Sequence, residues 1–199
     1  MEATWTSLQV ASITCVAATV LGTILAIVLV KGRFPGKNLI FALALSPMII
    51  PFIITAIAIY FFYSRLHMVG TISGVVIAHT ILAIPYVLVI VSAALKGFDE
   101  TLERASLSLG ANPLKTFLLV TLPVIKPGVI SGALFAFITS FDELVVIIFI
   151  AGTHAVTLPK RMWDGIRLEI DPTIAAVASL LIIFSIVLMI TIELSRKKQ

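Results

Sequence analysis

The sequence predicts an all-α polytopic membrane protein, on three observations. Of the 199 residues, 60% are hydrophobic and 12% charged, and the mean hydropathy is +1.16. A soluble domain of this length cannot hide that much apolar surface. The apolar residues fall into five runs, roughly 8–30, 39–63, 72–95, 128–152 and 173–191, each near the ~20 residues that a helix needs to cross a bilayer core. The charges gather between those runs. One transmembrane domain over residues 1–199 is expected, with the long polar segment 96–127 as its main loop.

Basic residues orient the spans. If the five runs alternate, ten of the fourteen Lys and Arg fall on one side: Lys31, Arg33, Lys37, Lys96, Arg104, Lys115, Lys126, Arg196, Lys197 and Lys198. Arg65, Lys160, Arg161 and Arg167 fall on the other. The first side is therefore cytoplasmic, the N-terminus outside and the C-terminus inside. The net charge of +4 sits in loops and forms no nucleic-acid patch. Cys15, the sole cysteine, lies in an apolar run, which excludes a disulfide framework within the chain and a cysteine metal site. The start lacks the basic region of a cleavable leader, and its first apolar run is long enough to span.

In the first run Ala18, Gly22 and Ala26 recur every four residues, a spacing that lets helix backbones approach closely in a bilayer. The turn KGRFPGK that follows has too short a glycine spacing for a phosphate loop and no Ser or Thr after Lys37. No ATP site and no cofactor are expected in this chain. Pro47 and Pro51 interrupt the second run and Pro85 the third, each removing an intrahelical hydrogen bond. Such prolines make either a static kink or a bend at a pathway or gate. His79 is expected to be a hydrogen-bonded interior residue, because no second ligand lies at metal-binding spacing and no metal site is read elsewhere. Tyr60 to Tyr63 read as an interfacial aromatic belt.

The segment 97–127, GFDETLERASLSLGANPLKTFLLVTLPVIKP, has the punctuation of two short helices. Asp99 can cap the first, with Glu100 and Glu103 in its opening turn. Leu102, Ala105 or Ser106, and Leu109 form its apolar stripe. Gly110 stands at a C-terminal stop, and Asn112-Pro113 opens the second helix. Pro123 and Pro127 are expected to break that helix before the fourth span begins.

In the fourth run Gly128, Gly132, Ala136 and Ser140 recur every four residues and predict a tightly packed face. Asp142 and Glu143 then interrupt the apolar sequence. At 1.5 Å per residue Asp142 lies roughly 20 Å above the inner end of the run, beyond the midplane. Charges at that depth face a bundle interior or water, since lipid exposure costs a few kcal/mol. Neighbouring residues on a helix point about 100° apart, so one carboxylate can pair internally while the other lines a cavity. Both could instead be structural. The outer segment 151–173 is mixed in charge. It offers Trp163 as an interfacial anchor, Asp164, Arg167 and Glu169 as rim contacts, and Asp171-Pro172 as the start of the last span.

Glu103, Ala105, Gly110, Leu122 and Pro123 resemble the "EAA…G…LP" loop of the membrane subunits of bacterial ABC importers, with Arg104 departing from the usual alanine. The resemblance extends over most of the chain and looks closest to spermidine/putrescine permeases. It implies the type I ABC importer permease fold, and a loop that forms a coupling helix docked on cytoplasmic ATPase subunits, present as a dimer that binds the ATP. It also implies a second permease subunit, expected to be a paralogue, and an external solute-binding protein meeting the outer face. The acidic pair Asp142 and Glu143 resembles a stretch of the polyamine permeases and would offer negative charge to a cationic substrate. Related permeases carry iron, sulfate or sugars. Residues 7–23 match the usual second span of the family, so its first helix is expected to be missing here. Two other classes remain. A gradient-driven transporter would use Asp142 or Glu143 as its coupling carboxylate, although no inverted repeat is visible. An intramembrane enzyme would need a motif such as HExxH or GxSxG, and neither is present.

Overall fold

The computed structural model describes residues 2–168 and 172–197, with side chains described for 2–166 and 176–190. Ten α-helices run α1 (Glu2–Lys31), α2 (Lys37–Ile49), α3 (Phe52–Arg65), α4 (Ile72–Lys96), α5 (Glu100–Ser108), α6 (Pro113–Thr116), α7 (Leu122–Phe141), α8 (Val145–Ile150), α9 (Leu158–Leu168) and α10 (Pro172–Lys197). A π-helical turn, Phe117–Thr121, joins α6 to α7.

The centre of the fold is the trio α1, α4 and α7, and the four-residue stripes of small residues explain why. A Cβ added to Gly22 would lie 2.7 Å from Val87 Cβ, and one on Gly128 would lie 2.6 Å from Ala94 Cβ. On Gly132 it would meet the Val87 backbone at 3.3 Å. Without hydrophobic driving force between helices in lipid, this close approach supplies the packing. α4 is the most enclosed helix, and Ala83, Val87, Leu88, Val91 and Leu95 of its C-terminal half are buried in one core cluster. Its N-terminal half packs with Val10, Ala56, Val146 and Ile150 from α1, α3 and α8. Cys15 Sγ sits against the Ala133 carbonyl at 3.2 Å, as a small packing residue between helices.

Among the described residues three helices are long and apolar enough to cross a membrane: Glu2–Lys31, Ile72–Lys96 and Pro113–Phe141. The described part of α10 adds a shorter apolar helix, Ala176–Ile190. The run 39–63 is not one straight span. It is the pair α2 and α3, bent by 103°. Ile50 is extended (ψ 132°) ahead of Pro51, which caps α3, as expected of a residue forced out of the helical region by a following proline. Pro47 lies inside α2 and Pro85 inside α4 without ending either helix. Of the three prolines, only Pro51 marks a break.

The fourth run is also displaced. Pro123 and Pro127 do not stop the helix that starts at Pro113; it continues to Phe141. At Pro123 the π-helical turn accounts for this, while Pro127 lies inside α7. The Leu122 N–H donates to the Phe117 carbonyl five residues back, a widened ladder just before Pro123, whose missing donor the first turn of α7 does not require. At its C-terminal end the helix stops at Phe141 and is interrupted over 142–144 before α8 begins. Asp142 and Glu143 therefore stand at a helix break and not within a continuous span. The segment after α8 holds a further helix, α9, rather than only a loop. Its Lys160 and Asp164 pair at 2.6 Å, four residues apart. The Arg167 side chain, Glu169 and Asp171 lie outside the described residues.

Candidate functional site

Two constellations carry the chemistry, one at the loop 96–127 and one at the helix break. In the loop, Asp99 caps α5 by accepting from Thr101 N–H at 2.9 Å. That backbone bond, with help from the Thr101 hydroxyl, holds its carboxyl below the ordinary range. α5 ends in a paired stop. The Ala111 N–H donates to the Ser106 carbonyl at 3.2 Å and the Gly110 N–H to Leu107 at 3.0 Å. This pattern places Gly110 left-handed, at φ +86°, where an L side chain is disfavoured. Asn112 caps the second helix by accepting from Lys115 N–H at 2.8 Å, and Pro113 follows at its first turn. The Ser106 and Thr116 hydroxyls join across the elbow at 3.0 Å. The loop is thus two short helices, each capped and joined across the elbow.

Glu103 faces into that unit. Its carboxylate accepts from Lys31 Nζ, at the end of α1, and from the Thr121 hydroxyl in the π-helical turn. Partial burial pushes the Glu103 carboxyl up, and the Lys31 and Thr121 hydrogen bonds with the Lys31 charge outweigh this and hold it below its ordinary value. Lys31 Nζ also lies 5.4 Å from the centre of the Phe98 ring. Ala105 is exposed on the loop surface, Leu122 is half-buried where α7 begins, and Pro123 adjoins it. The outer surface carries Leu109, 89% exposed, together with exposed Leu102, Leu107 and Leu114.

At the helix break the two acids separate. Glu143 is buried, 7% exposed, and folds back onto the start of α8. Its Oε1 accepts from Val146 N–H at 2.8 Å and its Oε2 from Ile147 N–H at 3.1 Å. These are first-turn donors with no partner inside the helix. His79 of α4 approaches from the other side: its Nε2 is 3.6 Å from Glu143 Oε2, and its Nδ1 bonds the Ser140 Oγ of α7 at 2.9 Å. Glu143 is thus the internally paired carboxylate. Asp142 is exposed and lines a cavity of about 340 Å³ between α7 and α10, with Phe137, Phe141 and Phe184 among the walls. Phe137 and Phe141 stack at 5.8 Å, and Phe184 lies 6.2 Å from Phe141. Sequence reasoning did not single out these rings. The four-residue spacing of Phe137 and Phe141 was a readable signal, whereas Phe184 comes from a distant helix.

Residues 18–198 match a family described as the binding-protein-dependent transport system inner membrane component. The chain belongs to this family. It is a multi-pass inner-membrane permease subunit, a transport protein and not an enzyme. The putrescine transport system permease protein PotI of Escherichia coli (strain K12) is 38% identical over 189 residues, covering 92% of this chain and 67% of the relative. The spermidine/putrescine transport system permease protein PotC of Haemophilus influenzae is 31% identical over 196 residues, covering 96% of this chain and 75% of the relative. Among solved structures, a chain of the inward-facing MetNI methionine ABC transporter superposes with a TM-score of 0.78 at 20% identity, covering 96% of this permease and 92% of that chain. At that identity the likeness shows the shared fold, that of type I ABC importer permeases.

Proposed function

We propose that this permease is the translocation subunit of an ATP-driven polyamine importer, with putrescine and spermidine as substrates. The observation that carries the substrate reading is Asp142, an unburied carboxylate facing a cavity walled by three phenylalanines. An alkylammonium suits both features: the carboxylate supplies opposite charge and the ring faces attract cations. An anionic solute would be repelled there. The names of the 38% and 31% identical relatives point the same way. The site is a transit point and not a store, since one carboxylate holds a cation weakly enough to release it.

The energy comes from elsewhere. ATP binds to two separate ATPase subunits, no cofactor is held by this chain, and the loop 96–127 docks on the ATPase through its exposed leucines. A second permease, a paralogue, completes the pathway, and an external solute-binding protein delivers substrate to the outer face around α9. The domain spans the membrane five times, with its N-terminus outside and its C-terminus cytoplasmic. Glu103, Ala105, Gly110, Leu122 and Pro123 shape the coupling loop, and Pro51 forms the bend of the second span.

Uptake of labelled putrescine and spermidine tests this reading, in transport-deficient cells that express the complete complex. Uptake should require ATP and should fall with Asp142→Asn at normal membrane expression. A fully assembled complex that imports neither amine would refute the substrate.

A further inference from the structure

Where α1 ends, α2 begins and α4 ends, the three helices enclose a cavity of about 370 Å³, above the ~300 Å³ at which ligand pockets begin. One wall is apolar, from Leu29, Val30 and Phe41. The rest is polar and basic. Lys37 and Asn38 come from the first turn of α2, and Ser92 and Lys96 from the last turns of α4. No acid is among the lining residues. Lys31, which follows Val30 in the chain, is already paired with Glu103. Two lysines therefore line one space with no carboxylate between them, and like charges so placed repel.

The polar groups of this cavity are donors short of acceptors. Lys96 makes no hydrogen bond or ion pair among the described residues. The Lys37 ammonium donates to the Val30 and Gly32 carbonyls at 3.2 and 3.3 Å, which leaves one of its three donors over. Ser92 is 4% exposed, and its buried hydroxyl has no hydrogen-bond partner. A buried hydroxyl left so is unfavourable. α2 also opens without a side-chain cap, after Gly36, so its first-turn N–H groups have no side-chain acceptor. Two cations, an unmet hydroxyl and an uncapped helix start together suit the oxygens of a phosphate. A free ion would have no use for the apolar wall. That wall continues along α2, where Leu39 and Leu43 are exposed and in a bilayer would meet acyl chains.

We propose that this cavity binds the phosphate of an anionic phospholipid. Lys37 and Lys96 hold its oxygens, the Ser92 hydroxyl donates to one of them, and the acyl chains lie along Phe41 and the exposed leucines of α2. Basic pockets between membrane helices take lipid headgroups in this way. The bound lipid ties the turn between α1 and α2 to the end of α4.

The test is native mass spectrometry of the complete importer, purified in detergent and supplied with phosphatidylglycerol, phosphatidylcholine or inorganic phosphate. The midpoint of thermal unfolding is measured on the same samples. Phosphatidylglycerol should be retained and should raise the midpoint, and the other two should do neither. Lys96→Gln should raise the half-saturating phosphatidylglycerol concentration about five-fold, and Lys37→Gln with Lys96→Gln about twenty-five-fold. Lys37→Gln also loses its two carbonyl contacts, so Lys96→Gln alone keeps the test sound if the double variant unfolds. Ser92→Ala should weaken lipid retention while the lipid-free midpoint stays level or rises, because it deletes a hydroxyl with no partner. A packing role for Ser92 would not give that combination. Wild-type retention of phosphatidylglycerol by both Lys96→Gln and Ser92→Ala would overturn the proposal, and so would equal retention of phosphatidylcholine. A lysine-dependent rise in midpoint with inorganic phosphate alone would make this a free-anion site and overturn the lipid.

Discussion

Replacing each member of the acidic pair in turn should separate a structural carboxylate from a functional one. Glu143→Ala leaves Val146 and Ile147 N–H without the acceptors now at 2.8 and 3.1 Å. A buried donor left unmet costs about 1–3 kcal/mol, and water is scarce at this depth to replace the lost partner. The two together should cost about 2–4 kcal/mol, allowing for the ~0.5–2 kcal/mol span of measured N-cap losses. Glu143→Gln keeps one carbonyl oxygen, so it should lose about half of that, mostly the charge-assisted part. Asp142→Asn should behave oppositely. Its side chain is exposed and makes no hydrogen bond to the described residues, so stability should change by less than ~0.5 kcal/mol while amine uptake falls. Reversible unfolding in mixed micelles gives the stability arm, and uptake in cells gives the functional arm. A Glu143→Ala protein as stable as wild type but unable to transport would refute the assignment. So would an Asp142→Asn protein that unfolds easily.

Further tests concern the loop and the core. Gly110→Ala should destabilise the loop by about 1 kcal/mol because the residue is left-handed, and Gly110→Asn by less. Nothing crowds that Cβ position, so limited proteolysis of the loop should rank the variants by backbone strain and not by size. Gly22→Ala should cost about 1–3 kcal/mol by overpacking against Val87, and Val87→Gly in the same protein should make the pair less than additive, as measured by unfolding in micelles. Glu103 gives a pH test. Its folded pKa lies below the ordinary 4.5, so its contribution is complete above that value and is lost as pH falls through the lowered one. Acid unfolding of wild type should therefore show a component below about pH 4.5 that Glu103→Gln lacks.

Much of this protein was legible in one dimension because its signals are local. Asp99, Gly110, Asn112 and Pro113 each act on backbone groups within a few residues, and the structure shows the caps and the stop where their spacing put them. The small-residue stripes in α1 and α7 announced close approach, since side-chain size needs no partner to be read. Other features depend on distant groups. That Pro51 bends its span by 103° while Pro47 and Pro85 do not, or that a π-helical turn carries the helix past Pro123, depends on how neighbouring helices hold the freed backbone. The split between Asp142 and Glu143 is of the same kind. Sequence suggested that one would pair and one would line a cavity; only the break after Phe141, with His79 arriving from α4 and Phe184 from α10, decided which. Lys31 and Glu103 lie 72 residues apart, and sequence alone reads the first as a topology marker and the second as a first-turn acid of the loop motif. Residue chemistry and local backbone geometry are written along the chain. Which charges meet is determined by packing, because helices separated in sequence come together only in the folded bundle.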